Sequence, residues 1–395
     1  MRPNALTPLP FLATAFLTLG LLTAAQGKEI TWTKHVVAEK TTGANSINAS
    51  DFDGDGHMDL ISSHNGQVVA YRGPDFKPVS VHRFLPLKPG QNARGGCIHA
   101  CLLDVDQDGD MDFIGSNKTV FWLECPDNPF DGNPWKYRNI DNEIKGTHCL
   151  ITGDVDGDGT LDLIANSFAT ADKTKIPESI TWQKIPADPK TAPNWERHVF
   201  AQGDAPGGNH YMGFGDVNKD GRPDIACGAK GGPGFAGGEW FAWWEQGADT
   251  SDPTKPWKKH MLSDSEPGAT CIIPVDLDAD GHVDYVASRG HGKGVLQFKG
   301  PDFKKIDIDP TINRPHCLVV GDIDADGDAD FATCGSLKDG VAAWYENKNS
   351  AFTKHVIGTD TSSYDIRLID LDNDKDLDVL IAGHADANIV WFEQK

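Results

Sequence analysis

Basic charge is scarce in this sequence: 36 Lys+Arg stand against 58 Asp+Glu, a formal net charge of −22. That balance argues against nucleic acid and anionic membranes as partners. Helical periodicity is missing after the N-terminal segment. No nucleophile elbow, phosphate-binding loop or dinucleotide fingerprint stands out, which removes the commonest hydrolase and nucleotide-enzyme classes. The eight cysteines (Cys97, Cys101, Cys125, Cys149, Cys227, Cys271, Cys317 and Cys334) contain no CxxC pair. Cys149, Cys271 and Cys317 occupy one slot in three repeats, inside apolar strands. A recurring small buried residue is favoured there over a disulfide, although an oxidising compartment would permit one. Hydrophobic residues make up 39%, enough for a packed core.

One apolar run occurs, at the N-terminus. Arg2 is a short basic region, Phe11 to Ala25 carries no charge, and Thr23-Ala24-Ala25-Gln26 supplies small residues for cleavage. Residues 1–26 read as a signal peptide, so the expected mature chain, 27–395, is secreted or periplasmic. A membrane anchor is the alternative, but the run is short for a span and lacks a basic stop-transfer flank. No later segment reads as a membrane span.

A nine-residue pattern occurs seven times, beginning at Asp51 (DFDGDGHMD), Asp104 (DVDQDGDMD), Asp154 (DVDGDGTLD), Asp216 (DVNKDGRPD), Asp276 (DLDADGHVD), Asp322 (DIDADGDAD) and Asp370 (DLDNDKDLD). The starts are 53, 50, 62, 60, 46 and 48 residues apart. Self-similarity at this period means a solenoid, a propeller or an array. Short apolar stretches flank each loop, a third carries an aromatic (Phe121-Trp122, Trp243-Trp244, Trp344-Tyr345), and a fourth is charged then apolar (Lys258-Lys259-His260-Met261). Four short strands per repeat predict an all-β, seven-bladed β-propeller. Residues 30–37 look like a fourth strand without a blade, and the last repeat stops after its third strand, at Trp391-Phe392-Glu393. The N-terminal strand is therefore expected to complete the last blade and close the ring.

Positions 1, 3, 5 and 9 of the loops carry the oxygens. They are Asp51, Asp53, Asp55 and Asp59; Asp104, Asp106, Asp108 and Asp112; Asp154, Asp156, Asp158 and Asp162; Asp216, Asn218, Asp220 and Asp224; Asp276, Asp278, Asp280 and Asp284; Asp322, Asp324, Asp326 and Asp330; and Asp370, Asp372, Asp374 and Asp378. Calcium takes 6–8 oxygens, and such a loop can point three carboxylates inward, add a carbonyl from position 7 and close with the ninth Asp. An EF-hand is excluded by the missing Glu at position 12 and the missing helices. Up to seven structural Ca²⁺ ions are expected. Seven divalent ions add +14, which brings the net charge of −22 to −8. Lys375 replaces the Gly of position 6 in the last loop, which should make that site the weakest.

Phe214-Gly215, the loop after it, and Gly228-Ala229 resemble the FG-GAP repeat of integrin α-subunit propellers. The other copies resemble the related VCBS-type repeats of bacterial secreted proteins. The resemblance covers nearly all of the mature chain. It implies a calcium-binding propeller and leaves activity open, because similar propellers occur in adhesion modules, polysaccharide lyases and aldos-2-ulose dehydratases.

The loops join strands one and two, so they share one face of the disc. The start of strand one and the end of strand two then lie at the opposite mouth of the channel. His99, His148, His210 and His316 fall at the start of strand one, and His64, His291 and His384 follow strand two. Arg94, Arg289, Arg314, Tyr211, Tyr364 and Asn45 belong to the same region. His35, His82, His198, His260 and His355 recur in the fourth strand and read as structural, while His57 and His282 lie inside loops and read as solvated.

Three readings of the mouth stay open. The residues line a wet channel; or they hold Zn²⁺ or another divalent metal; or they process sugar. In the last, His or Tyr takes a proton beside a carbonyl or carboxylate, and Arg or a metal stabilises the developing charge. His148, His210, His316, His99, Tyr211, Tyr364 and Arg314 are the catalytic candidates. His64, Arg94, Arg289, His291, His384 and Trp240 are the substrate-binding candidates. Residues 231–238, Gly-rich, form an insertion that could act as a lid, with Trp240 as a stacking surface. The expected function is binding of, or lyase- or dehydratase-like action on, a carbohydrate or polysaccharide. The alternative is a non-catalytic adhesion or carbohydrate-binding module.

Overall fold

The alternation of short strands and aspartate turns closes into a ring. The computed structural model describes residues 30–84, 96–168, 174–248 and 255–395. The signal segment and Arg94 fall outside them. The described residues form twenty-eight strands in seven four-stranded antiparallel sheets, with no helix. No helix is therefore long and apolar enough to cross a membrane.

Blades 1 to 6 run in simple up-and-down order. Blade 4, for example, is Asn209–Gly215, Asp224–Ala229, Trp240–Glu245 and Lys258–Ser263. The first strand of each blade neighbours the first strand of the next, round to blade 1. In blade 7 the outer strand is supplied by the N-terminus. Trp32–Glu39 pairs antiparallel with Asn388–Gln394, from Trp32 opposite Gln394 to Glu39 opposite Asn388. This is the expected clasp, shifted two residues along the chain from 30–37. It leaves neither terminal blade with an open third-strand edge.

Burial follows position in the blade. Second strands such as Asp224–Ala229 and Asp378–Gly383 are buried at every residue, because neighbouring blades cover both faces. Third strands contribute the large side chains between blades, among them Trp122, Trp244, Phe241 and Tyr345. Truncating one such aromatic to Ala would cost about 3–5 kcal/mol.

The fourth-strand histidines are structural, and the reason is a cross-strand box. His260 stacks on Trp243 at 4.2 Å and bonds Glu245 at 2.6 Å. His35 does the same with Trp391 and Glu393, and His355 with Trp344 and Glu346. His198 keeps the stack, on Trp182 at 4.1 Å. His82 instead packs against Phe84 and Tyr137. All eight cysteines are free thiols; all but Cys101 are buried.

Candidate functional site

Every aspartate loop links the first two strands of its blade, so all seven lie on one face. The first-position carboxylate turns the loop by accepting backbone N–H groups: Asp51 from Asp55 (3.0 Å) and Gly56 (2.8 Å), Asp216 from Asp220 and Gly221, Asp322 from Asp326 and Gly327. The ninth Asp has a task the sequence did not disclose. Asp59 accepts the Phe52 N–H at 2.9 Å and the Gly73 N–H at 2.7 Å, tying the loop to the end of the third strand. Asp112, Asp224, Asp284, Asp330 and Asp378 repeat both bonds. Burial pushes these carboxyls up, Asp59 to about 6, Asp162 to about 7 and Asp112 to about 8. A nearby cation would favour their charged form.

The loops fit calcium by their donors. In at least four of them, three acidic oxygens lie within 4.8 Å of one another: Asp51, Asp53 and Asp59; Asp104, Asp106 and Asp108; Asp154, Asp156 and Asp162; Asp276, Asp278 and Asp280. Oδ1 of Asp53, Asp106, Asp276, Asp278 and Asp370 is buried without a hydrogen-bond partner. Basic side chains reach over several loops: Arg72 to Asp53 and Asp55, Lys190 to Asp106, Lys184 to Asp156 and Asp158, Lys299 to Asp278. They are the groups a metal ion would displace.

Lys375 adopts the left-handed conformation (φ 82°) that Gly adopts at the same place in the other loops. It still donates its N–H to Asp370 at 3.1 Å. The left-handed backbone costs a side-chain-bearing residue about 1–2 kcal/mol, part of which Gly returns as unfolded-chain entropy. Lys375→Gly should therefore raise stability by about 1 kcal/mol, seen as a higher denaturant midpoint at constant slope. An unchanged midpoint would mean that this loop carries no strain.

At the opposite mouth, blades 3 to 6 bring four imidazoles together. A ring nitrogen from each of His148, His210 and His316 lies within 4.8 Å of the other two. His291 joins them, its Nε2 2.9 Å from His210 Nε2 and its ring 5.2 Å from that of His316. His210 Nδ1 lies 2.7 Å from the Gly208 carbonyl, which fixes its proton on Nδ1 and leaves the Nε2 lone pair facing the cluster. Both nitrogens of His316 and Nδ1 of His148 are buried without a partner. The adjoining Tyr364 N–H is committed to the Ala382 carbonyl.

Burial holds all four imidazoles neutral, helped by neighbouring rings at His148, His210 and His316 and by Lys230 and Arg314 at His291: His148 falls to about 3 and His291 to about 4, while His210 and His316 lie well below the ordinary value. Neutral, converging imidazoles with orphaned nitrogens and one tautomer set by a carbonyl are what a transition metal requires. The donor set therefore fits Zn²⁺ or a similar divalent ion.

Two residues outside the motifs build the cluster. Asn166 Oδ1 accepts the N–H groups of His148 and Cys149, both at 2.9 Å, and its Nδ2 donates to the His210 carbonyl, so one side chain clamps two blades. Gly290 lets the strands close: a Cβ there would lie 2.6 Å from His316 Cα.

The remaining candidates divide. Tyr211 lies against His316 (5.4 Å), its hydroxyl donating to the Tyr364 carbonyl at 2.7 Å. Tyr364 stacks on His316 and on His384, both at 4.2 Å, and His384 Nδ1 reaches Asn45 Oδ1 at 2.5 Å. His99 packs on Tyr211 but spends Nδ1 as acceptor of the Leu150 N–H. Arg314 is exposed beside His291, its N–H donating to the Gly292 carbonyl.

Three expectations are corrected. His64 is buried in blade 1 and bonded to Tyr71 across its own hairpin. Arg289 is neutralised by Glu266 and Asp307. Trp240 is no stacking surface: its ring is buried against Trp244, and its N–H is used by the Pro206 and Gly237 carbonyls. The Gly-rich insertion does reach the mouth. It is packed backbone to backbone, since a Cβ on Gly207 would lie 1.9 Å from Gly238 N. Its aromatic is Phe235, which packs on Phe168, and Phe168 stacks on His148 at 4.9 Å.

The FG-GAP-like repeat family matches residues 51–115, 216–287 and 322–381. Comparison with curated proteins returned no match. Two crystal structures of BBS1N in complex with ARL6DN, one soaked with lead and one with mercury, are similar in fold. Their TM-scores are 0.59 and 0.55, each at 10% identity over 91% of this chain and 96% of that chain. The likeness shows shared architecture alone. With its matching repeats and its seven closed blades, this chain is an FG-GAP repeat β-propeller.

Proposed function

We propose that this propeller is a secreted, metal-dependent enzyme that acts on carbohydrate by carbon–oxygen lyase or dehydratase chemistry, with calcium in the aspartate loops as scaffolding. The observation that carries the reading is the meeting of His148, His210, His291 and His316 at one mouth. A transition ion held there would supply Lewis acidity to a sugar carbonyl or carboxylate. With the ion on His148, His210 and His316, half-buried, neutral His291 is the imidazole left to take a proton from the adjacent carbon, and as the neighbouring C–O bond breaks the leaving oxygen takes that proton back from the imidazolium. The Tyr211 phenol is kept protonated by burial, and its committed hydroxyl braces Tyr364 rather than reacting. Phe168 and Phe235 form an aromatic wall against which a sugar ring could stack.

The test is turnover of uronic acid polymers and keto-sugars by metal-replete protein, followed by the absorbance of the new C=C bond. His291→Ala should lower kcat by about 100-fold or more. Full activity in His291→Ala, or no turnover of either substrate class, would sink the enzymatic reading. The binding-module alternative draws on the BBS1N structures, which show a propeller of this architecture in a protein complex. It predicts sugar or protein binding that survives loss of all four histidines.

A further inference from the structure

Two cations stand at the histidine mouth without a counter-charge, in a chain of net charge −22. Lys230 directly follows the second strand of blade 4 and is half-buried. Its Nζ lies 3.7 Å above the centre of the Phe235 ring and 6.0 Å from that of Phe168, the ring stacked on His148. Among the described residues no carboxylate pairs with it. Basic groups elsewhere in blades 5 and 6 are neutralised: Arg289 and Lys305 by Glu266, and Lys354 by Asp309. The aromatic contact offsets part of the cost of holding an ammonium out of water. Burial also holds it below the ordinary lysine range.

Arg314 is the second cation. It keeps a left-handed backbone (φ 49°), two residues before His316. Its side chain has no carboxylate partner among the described residues. Two unpaired cations flanking the mouth favour an anion over a neutral sugar.

We propose that the ligand of the histidine mouth is a sugar bearing an oxyanion, a carboxylate or a sulfate ester, held by Lys230 and Arg314. This rests on the carbohydrate reading above and narrows it to acidic sugars. Lys230 then determines specificity, and the aromatic pair under it aims the ammonium.

Calorimetric titration tests this with three probes, D-glucuronate, D-glucose 6-sulfate and D-glucose, on wild type, Lys230→Gln and Lys230→Arg. Each is measured metal-stripped and zinc-loaded, in calcium, with melting temperature as the folding control. At least one acidic probe should bind wild type at least tenfold more tightly than glucose. Lys230→Gln should lose about tenfold or more of that affinity, since a charge-assisted bond is removed, and Lys230→Arg should keep most of it. The two acidic probes distinguish carboxylate from sulfate. The proposal is overturned if Lys230→Gln binds both acids within twofold of wild type, if glucose binds as well as they do, or if neither acid binds either form. Lys230-dependent binding without zinc uptake would sink the metal reading and keep this one; zinc uptake with Lys230-independent binding would do the reverse.

Discussion

Removing calcium with a chelator should lower the melting temperature by about 20 °C. The magnitude follows from linkage: a site held at a hundred times its Kd contributes about 2.7 kcal/mol, and six strong loops together about 16 kcal/mol. A chain of this length unfolds with an entropy near 0.8 kcal/mol/K, at about 2.1 cal/mol/K per residue, which converts that sum into roughly 20 °C. Metal-free loops also crowd carboxylates, and burial of the ninth Asp opposes its charge. Lys184, Lys190, Lys299 and Arg72 soften this repulsion, so the metal-free ring should be weakened rather than abolished. Adding calcium back should restore the transition. A melting temperature that moves by less than about 3 °C would show that the loops are not metal-coupled.

His316→Leu should change stability in opposite directions with and without transition metal. Both His316 nitrogens are buried and unpartnered, and the side chain is 0% exposed. A buried polar group left unsatisfied costs about 1–3 kcal/mol, so an apolar side chain of similar size should stabilise the metal-stripped protein by about 1 kcal/mol. In zinc the same change removes a ligand, so metal affinity should fall by more than about 100-fold and the metal-linked stability with it. His260→Leu is the control. His260 is stacked on Trp243 and bonded to Glu245, so its loss should cost about 1 kcal/mol under both conditions. Equal destabilisation by His316→Leu with and without zinc would mean that His316 is an ordinary packing residue.

The fold was legible because the aspartate loop fixes a position in every repeat, and the strands on either side inherit their faces from it. The same register exposed part of the mouth. Asn45, His148, His210, His316 and Tyr364 each stand six residues before a first loop Asp, and the structure brings them into one ring about the channel. His99 stands five before, and its ring turns aside to accept the Leu150 N–H.

Contributors from the turns were less legible, because their direction depends on packing between blades rather than on strand period. Asn166 lies inside a second strand, in no motif, yet clamps two histidines. Phe235 belongs to the insertion, whose path is set by Gly207 and Gly238, and Lys230 stands just before it. Arg289 was misread because Glu266, which neutralises it, arrives from the turn before. Trp240 was misread because the first residue of that third strand faces inward, onto Trp244.

X-ray absorption at the zinc edge tests the central claim most directly. Protein stripped of metal, returned to calcium and loaded with one equivalent of zinc should show only light-atom ligands at about 2.0–2.1 Å, with the multiple scattering of three or four imidazoles. A sulfur shell at about 2.3 Å would place the metal on the buried thiols instead. An oxygen-only shell would place it in the aspartate loops, and failure to retain zinc would remove it from the protein. Any of these three results would contradict a metal centre built from His148, His210 and His316.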